Sequence, residues 1–459
     1  MTNTTLQFLG AVGTVTGSRF LIEQQDRSVL VDAGLYQGPK ELRLRNWETP
    51  SFDLDQLEAV VLTHAHLDHC GYLPALYRAG FRGPIYATPF TIALANIVLP
   101  DAGRLQEEEA FHANKHGWSR HKPALALFTE EEAIAVAGLF HPVPFEQDHQ
   151  VTGGLSARFT SAGHILGAAT VTVTTSNGRR IVFSGDLGRS NHSLLLPPAP
   201  RPDCDLLLLE STYGDREHAE DSLDPLAEII RRTVERKGTV VIPAFAVDRT
   251  ELLIHAIQQL ERRGEIPVVP VVVDSPMALA ALAVYRQALD RRDPQLRPEL
   301  FGGGDPFTTG ILTEAPSVEE SKAATARSDS TIVISASGMA SGGRVLHHLE
   351  RHLPDKRSSV VIAGFQAQGT RGRLLAEGAT EIKIHGGYVP VRAEVVNIDA
   401  FSGHADASDL LAWADPSRDP PQTTFVVHGE PEASNALHDR LHAASWTAVV
   451  ARYGERVVI

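Results

Sequence analysis

The stretch Thr63–Gly71, THAHLDHCG, follows the apolar run Glu58–Leu62, EAVVL, and holds His64, His66, Asp68 and His69 within six residues. A short apolar run rich in β-branched residues predicts a buried strand, so these polar side chains gather at its carboxyl end. Residues two apart on an extended segment face the same way. His64 and His66 are therefore placed to grip one cation, and Asp68 and His69, on the turn beyond, to reach a second. Zinc takes such nitrogen and oxygen ligands at ~2.0–2.2 Å, and a catalytic site leaves one position for water.

Upstream of the motif, LQFLGAVG, SRFLIEQ and RSVLVDAG read as short strands closed by glycine turns. Downstream, helical patterns over about 91–114 and in TEEEAIAVAGLF precede further strands at LSARFTSAGH, AATVTVTTS, RRIVFSGD and DLLLLES. One layered domain is expected to reach residue 212. The middle then alternates: TVVIPAF, VVPVVVDS, STIVISAS and SVVIAGF are each followed by a helix-like segment. That alternation implies a separate α/β domain with a mostly parallel sheet. Near the end, VVNIDAFSGHAD, TTFVVHGE and TAVVARYG return to the style of the first domain.

The chain has 459 residues, 43% apolar and 21% charged, enough for two or three domains with real cores. Two cysteines, Cys70 and Cys204, make no disulfide framework, and twenty histidines make His and carboxylate the expected metal ligands. With 42 basic and 56 acidic side chains the formal charge is −14, which argues against indiscriminate adhesion to nucleic acid but not against a locally basic groove. The opening MTNTTLQFLG lacks a charged, apolar leader, and the most apolar window, Ile266–Val273, is far shorter than the roughly 20 residues of a membrane span. A cytoplasmic protein without a membrane partner is expected.

The His-x-His-x-Asp-His run resembles the defining motif of the metallo-β-lactamase superfamily. The resemblance implies that SAGHILG and FSGDLG supply His164 and Asp186 as later ligands, each at the end of an apolar strand. His64, His66 and His164 would hold one zinc, Asp68 and His69 the other, with Asp186 bridging and Asp68 also catalytic. Asp32 in VLVDAG would orient ligands from behind. LLLESTYGDREH, AFSGHAD and VVHGE resemble the signature motifs of the β-CASP nucleases, and contribute Glu210, His404 and His428. The bacterial and archaeal relatives of the endonuclease of the cleavage and polyadenylation specificity factor look most similar, over nearly the whole chain. No added N-terminal RNA-binding region or C-terminal extension is expected.

This resemblance implies a metallo-β-lactamase αββα sandwich (1–212 and 394–459) interrupted by an inserted β-CASP domain (213–393). Ligands of open parallel sheets sit outside the strands' carboxyl ends. There the insert places AFAVDR, SASGMASGGR and GFQAQGTRGR. Small residues let backbone N–H groups approach phosphate, and arginine adds a forked donor. The phosphate-binding candidates are Arg249, Ser335, Ser337, Gly338, Gly343, Arg344, Arg371 and Arg373. His112 and His116 read as a solvated helix face among Glu107–Glu109. His149, His347, His348 and His352 lack a partner motif and stay outside the site.

By the resemblance, two zinc ions, with manganese the alternative, activate water for in-line attack on a phosphodiester. His404, oriented by Glu210, protonates the leaving 3′ oxygen, and His428 is a further ligand of the second zinc. Histidine at this last motif goes with RNA in the family. The expected function is a ribonuclease acting on single-stranded RNA in processing or decay, first as an endonuclease. The alternatives are a 5′-to-3′ exonuclease or DNA nuclease of the same fold, a small-ester metallohydrolase, and a non-catalytic RNA-binding subunit. A second copy of the chain is a candidate partner, as a homodimer.

Overall fold

The computed structural model describes residues 4–117, 119–218, 222–415 and 418–459. The chain divides into two units, Met1–Glu217 with His404–Ile459, and His218–Gly403.

The first unit holds two seven-stranded sheets. One runs, edge to edge, Arg456–Val458, Thr4–Phe8, Phe20–Gln24, Arg27–Val31, Leu57–Val61, Ile85–Ala87 and Phe140–Pro142. The other runs Ala448–Val450, Thr423–Val427, Leu206–Glu210, Arg180–Phe183, Ala169–Thr175, Leu155–Ser161 and Asp148–Thr152. Period-two patterning explains why they face each other: Leu6 and Phe8, Phe20 and Ile22, Val29 and Val31, Ala59 and Val61 point one way along their strands. They meet Phe159, Val171, Val173, Ile181, Phe183, Leu208, Phe425 and Val427 from the second sheet in one core. Phe8 stands edge-on to Phe20 at 6.1 Å and tilted against Phe425 at 4.9 Å, so aromatic rings bridge the sheets.

Leu21, Leu30 and Val60, on the opposite faces of their strands, are buried as well. Helices therefore flank the sandwich. Helix Pro89–His116 packs on Glu130–Val136 at one side, and Pro431–Ala443 packs on strands Thr423–Val427 and Ala448–Val450 at the other. Helix Glu130–Val136 starts with a capping box between Thr129 and Glu132, which satisfies two of its free backbone donors. Among the described residues no helix is long and apolar enough to cross a membrane.

The second unit is a six-stranded sheet in the order Leu312–Glu314, Val271–Val273, Ile332–Ser335, Val240–Pro243, Ser359–Ala363, Glu394–Ile398. Every pairing in it is parallel. All its carboxyl ends thus lie along one edge. The domain limits read from sequence shift in two places. Residues 213–217 group with the sandwich, and strand Glu394–Ile398, assigned above to the sandwich, pairs with Ser359–Ala363 of the insert. A strand's local pattern does not say which sheet will accept its hydrogen bonds.

Phe8 is fully buried between the sheets. Phe8→Ala is expected to cost about 3–5 kcal/mol through lost transfer energy and a cavity, read as an earlier denaturant midpoint for the sandwich transition; an unchanged midpoint would contradict this core assignment.

Candidate metal centre

Strand Leu57–Val61 ends beside the second sheet's strand ends, and Thr63, His64 and Ala65 follow it, all buried. His66 is the extended residue before the single helical turn Leu67–Cys70, which carries Asp68 and His69. The neighbouring loop approaches closely: a Cβ on Gly34 would fall 1.6 Å from the Asp68 carbonyl oxygen, so only glycine fits there. Arg19 fastens the same corner, with Nε 2.8 Å from the Gly34 carbonyl and its guanidinium 3.7 Å from the Tyr72 ring centre.

Two groups of ligand atoms result. In the first, His64 Nε2 lies 3.1 Å from His66 Nδ1 and 3.4 Å from Asp186 Oδ2, and His164 Nε2 lies 3.2 Å and 3.6 Å from the same two atoms. In the second, His69 Nε2 is 3.1 Å from His428 Nε2 and 3.3 Å from Asp186 Oδ1, and His428 Nε2 is 3.6 Å from Asp68 Oδ2. Asp186 thus presents one oxygen to each group.

The hydrogen-bond pattern fixes which nitrogens face inward. Asp32 Oδ2 lies 2.7 Å from His69 Nδ1 and accepts its proton. Thr63 Oγ1 donates to Asp32 at 2.9 Å and so accepts from His64 Nδ1 at 3.1 Å. Thr212 Oγ1 lies 3.2 Å from His428 Nδ1. With Nδ1 of these three histidines used as donors, their Nε2 lone pairs converge on the same space. Asp186 Oδ1, also buried there, has no hydrogen-bond donor. Converging lone pairs and an undonated carboxylate oxygen call for cations, so the residues fit a metal cofactor.

Titration agrees. Burial first, then the neighbouring imidazoles His69 and His64 respectively, push His64 and His66 well below the usual histidine range, which leaves them neutral. Burial opposes charge on His69, yet Asp186 and Asp32 outweigh it and hold its pKa well above the usual value. A cation must displace that proton to take Nε2. Burial likewise opposes ionisation of Asp186, but His428, His69 and His64 keep its carboxyl well below the carboxylate range.

Glu210, the fully buried last residue of its strand, accepts from the Leu187 N–H at 2.6 Å and the Thr212 N–H at 3.3 Å. His404 Nδ1 lies 3.4 Å from Glu210 Oε1 and 3.9 Å from Asp186 Oδ2. Burial works against its charge, but Glu210 and Asp186 raise the His404 pKa. Proton binding at His404 is thus favoured beside the cluster. Asp32 sits at φ 60°, strained for a non-glycine residue, and holds Ser18 Oγ, the Thr63 N–H and the Thr63 hydroxyl as well as His69. Sequence reading missed Ser18, Thr63 and Thr212; Thr63 and Thr212 stand next to motif residues, and that adjacency is the one signal they gave.

In the inserted unit the arginines named from sequence also bond to the protein itself. Arg249 is buried and donates to the Ala363 carbonyl at 2.7 Å. Arg344 donates to Asp274 Oδ1 at 2.8 Å and to the Ala315 carbonyl at 2.7 Å. Arg371 donates to the carbonyls of Lys383 at 2.6 Å and Ser341 at 2.9 Å, and Arg373 to Glu377 at 2.6 Å. Loops at parallel strand ends leave carbonyls outside the ladder, and these forks satisfy them. The guanidiniums thus fasten the loops, and those of Arg344, Arg371 and Arg373 stay partly exposed. Ser335 is likewise engaged, donating to the Asp274 carbonyl at 2.8 Å, and Ser337 Oγ accepts from the Ser341 N–H at 3.3 Å. A Cβ on Gly338 would fall 2.8 Å from the Phe245 nitrogen, and Gly343 turns the chain at φ 75°. His348 is buried with Nε2 2.7 Å from Asp274 Oδ2, while His112 and His116 are exposed on their helix.

Three family models match the chain: the metallo-beta-lactamase superfamily over residues 12–236, the Beta-Casp domain over 250–375, and the Zn-dependent metallo-hydrolase RNA specificity domain over 388–451. Ribonuclease TTHA0252 of Thermus thermophilus is 36% identical, across 98% of this chain and 99% of its own. An RNase J-like protein of Methanocaldococcus jannaschii is 31% identical, across 93% and 92%. Transcription termination factor FttA of the same organism is 29% identical, across 93% of this chain and 67% of its own. A crystal structure of a protein of unknown function from Enterococcus faecalis V583 covers both chains fully with a TM-score of 0.53 and 17% identity, which speaks for the fold alone. A full-length relative at 36% identity, together with these three models in chain order, places this chain in the β-CASP ribonuclease family of the metallo-β-lactamase superfamily.

Proposed function

We propose that this chain is a zinc-dependent ribonuclease that hydrolyses phosphodiester bonds within single-stranded RNA, in RNA processing or decay. The observation that carries the reading is Asp186, with one oxygen in each ligand group and the His404–Glu210 pair beside it. The RNA specificity model spans both His404 and His428, and the relative matched along its whole length is named a ribonuclease.

His64, His66, His164 and Asp186 would hold one cation, and Asp68, His69, His428 and Asp186 the other. Bound there, divalent metal supplies Lewis acidity toward the phosphate oxygens and acidifies the attacking water. Asp68 faces burial that disfavours its charge, but His428 and His69 hold its carboxyl below the usual range, so it is ionised and accepts the proton of that water. His404 gives its proton to the leaving 3′ oxygen, and Glu210 is its positioning residue. The products carry 5′-phosphate and 3′-hydroxyl. In the insert, the phosphate candidates are Arg249, Ser335, Ser337, Gly338, Gly343, Arg344, Arg371 and Arg373, at the carboxyl ends of the parallel strands.

His404→Ala should keep bound metal and lose roughly 10²–10⁴-fold in cleavage rate. Because His404 acts protonated and its pKa is raised, wild-type activity should fall as pH rises through that pKa, and this alkaline limb should vanish in the variant; full activity in His404→Ala would contradict the acid role. Asp186→Ala should lower the metal content of both groups, read by mass spectrometry, and unchanged content would refute bridging. For the substrate, matched single-stranded RNA and DNA labelled at either end should give internal RNA fragments early. Mononucleotides released from the 5′ end would make the enzyme an exonuclease, and equal DNA cutting would overturn the RNA assignment.

A further inference from the structure

A second group of ligand-type side chains lies in the inserted unit: the donor atoms of His347, Glu350 and His385 all fall within 4.8 Å of one another. His347 and Glu350 stand three residues apart on helix Val345–His352, a spacing that puts them on one face. The helix buries Val345, Leu346 and Leu349 in a core with Ile362, Leu375, Ile382 and Ile384, which turns His347 and Glu350 outward. His385 opens the two-residue turn between strands Glu381–Ile384 and Gly387–Pro390, at φ 46°. Such a hairpin turn favours asparagine, aspartate or glycine there, so a histidine is an unusual occupant. Its ring centre lies 4.7 Å from that of His347, and its Nδ1 3.1 Å from Glu350 Oε2.

We infer that His347, Glu350 and His385 form a separate site for a divalent transition-metal ion of the zinc type, which pins the hairpin to the helix. Two imidazoles and one carboxylate suit zinc, cobalt or nickel, whereas magnesium and calcium take oxygen ligands. All three side chains are exposed, so water completes the coordination. The fourth side of the arrangement explains what the ion would do. Arg371 joins Lys383, on the same hairpin, to Ser341 in the loop that leads into the helix, and Arg344 ties the helix start to Asp274. An ion at His347, Glu350 and His385 thus closes a ring of hairpin, helix and loop. The site uses none of the residues assigned to cleavage.

The test is zinc content of the full-length chain equilibrated with zinc, by mass spectrometry, for wild type, His347→Ala and His385→Ala. Each variant should bind one zinc fewer per chain and keep RNA cleavage, and, when cobalt replaces zinc in a parallel loading, should lose the cobalt absorption contributed by this site. His385 lies on a turn outside the core, so its variant stands as the test should His347→Ala fold poorly. Zinc content equal to wild type in both folded variants, or a loss in only one of them, would overturn the site.

Discussion

The structure depends on one electrostatic constraint: a buried carboxylate, Asp186, surrounded by imidazoles whose lone pairs point at it and at one another. Burying so many polar groups together is costly unless each finds a partner. Hydrogen bonds from outside, through Asp32, Thr63 and Thr212, settle the Nδ1 side of His69, His64 and His428, and their Nε2 atoms face inward. Positive charge is what the centre lacks, and the neighbouring carboxylates favour protons on His69 and His404. Metal binding and proton release are therefore linked here, and affinity must weaken as pH falls.

The sandwich is built to keep that constraint rigid. Strand ends from both sheets deliver the ligands: Leu57–Val61 leads into His64, Leu155–Ser161 into His164, Arg180–Phe183 into Asp186 and Thr423–Val427 into His428. The phenylalanines between the sheets fix the spacing from which these ends project. Backbone bonds then stitch the loops together, as in Ser18 to Asp68 and His428 to Ala11, and the left-handed residues Asp32 and His428 bear the strain of turning side chains inward.

The His64–His69 run is legible as a candidate site because its side chains are contiguous and follow a strand whose periodicity is plain. His164, Asp186 and His428 come from distant strand ends, where no local pattern marks a ligand, and they were reached through the resemblance of whole motifs. Thr63 and Thr212 were not legible, since a threonine hydroxyl bonded to an imidazole looks like any other threonine. For the arginines the sequence is ambiguous: a glycine-rich loop with an arginine suits phosphate and suits its own unpaired carbonyls equally, and the coordinates add that Arg344 and Arg371 bond to carbonyls. Strand Glu394–Ile398 was assigned to the wrong sheet because its partner lies more than thirty residues away.

The central claim is that two cations share Asp186. Anomalous diffraction from crystals of the zinc-loaded protein, recorded across the zinc edge, tests it most directly. The account predicts two peaks, one among His64, His66 and His164 and one among Asp68, His69 and His428, with a carboxylate oxygen of Asp186 next to each. A single peak, or peaks that Asp186 does not touch, would contradict it.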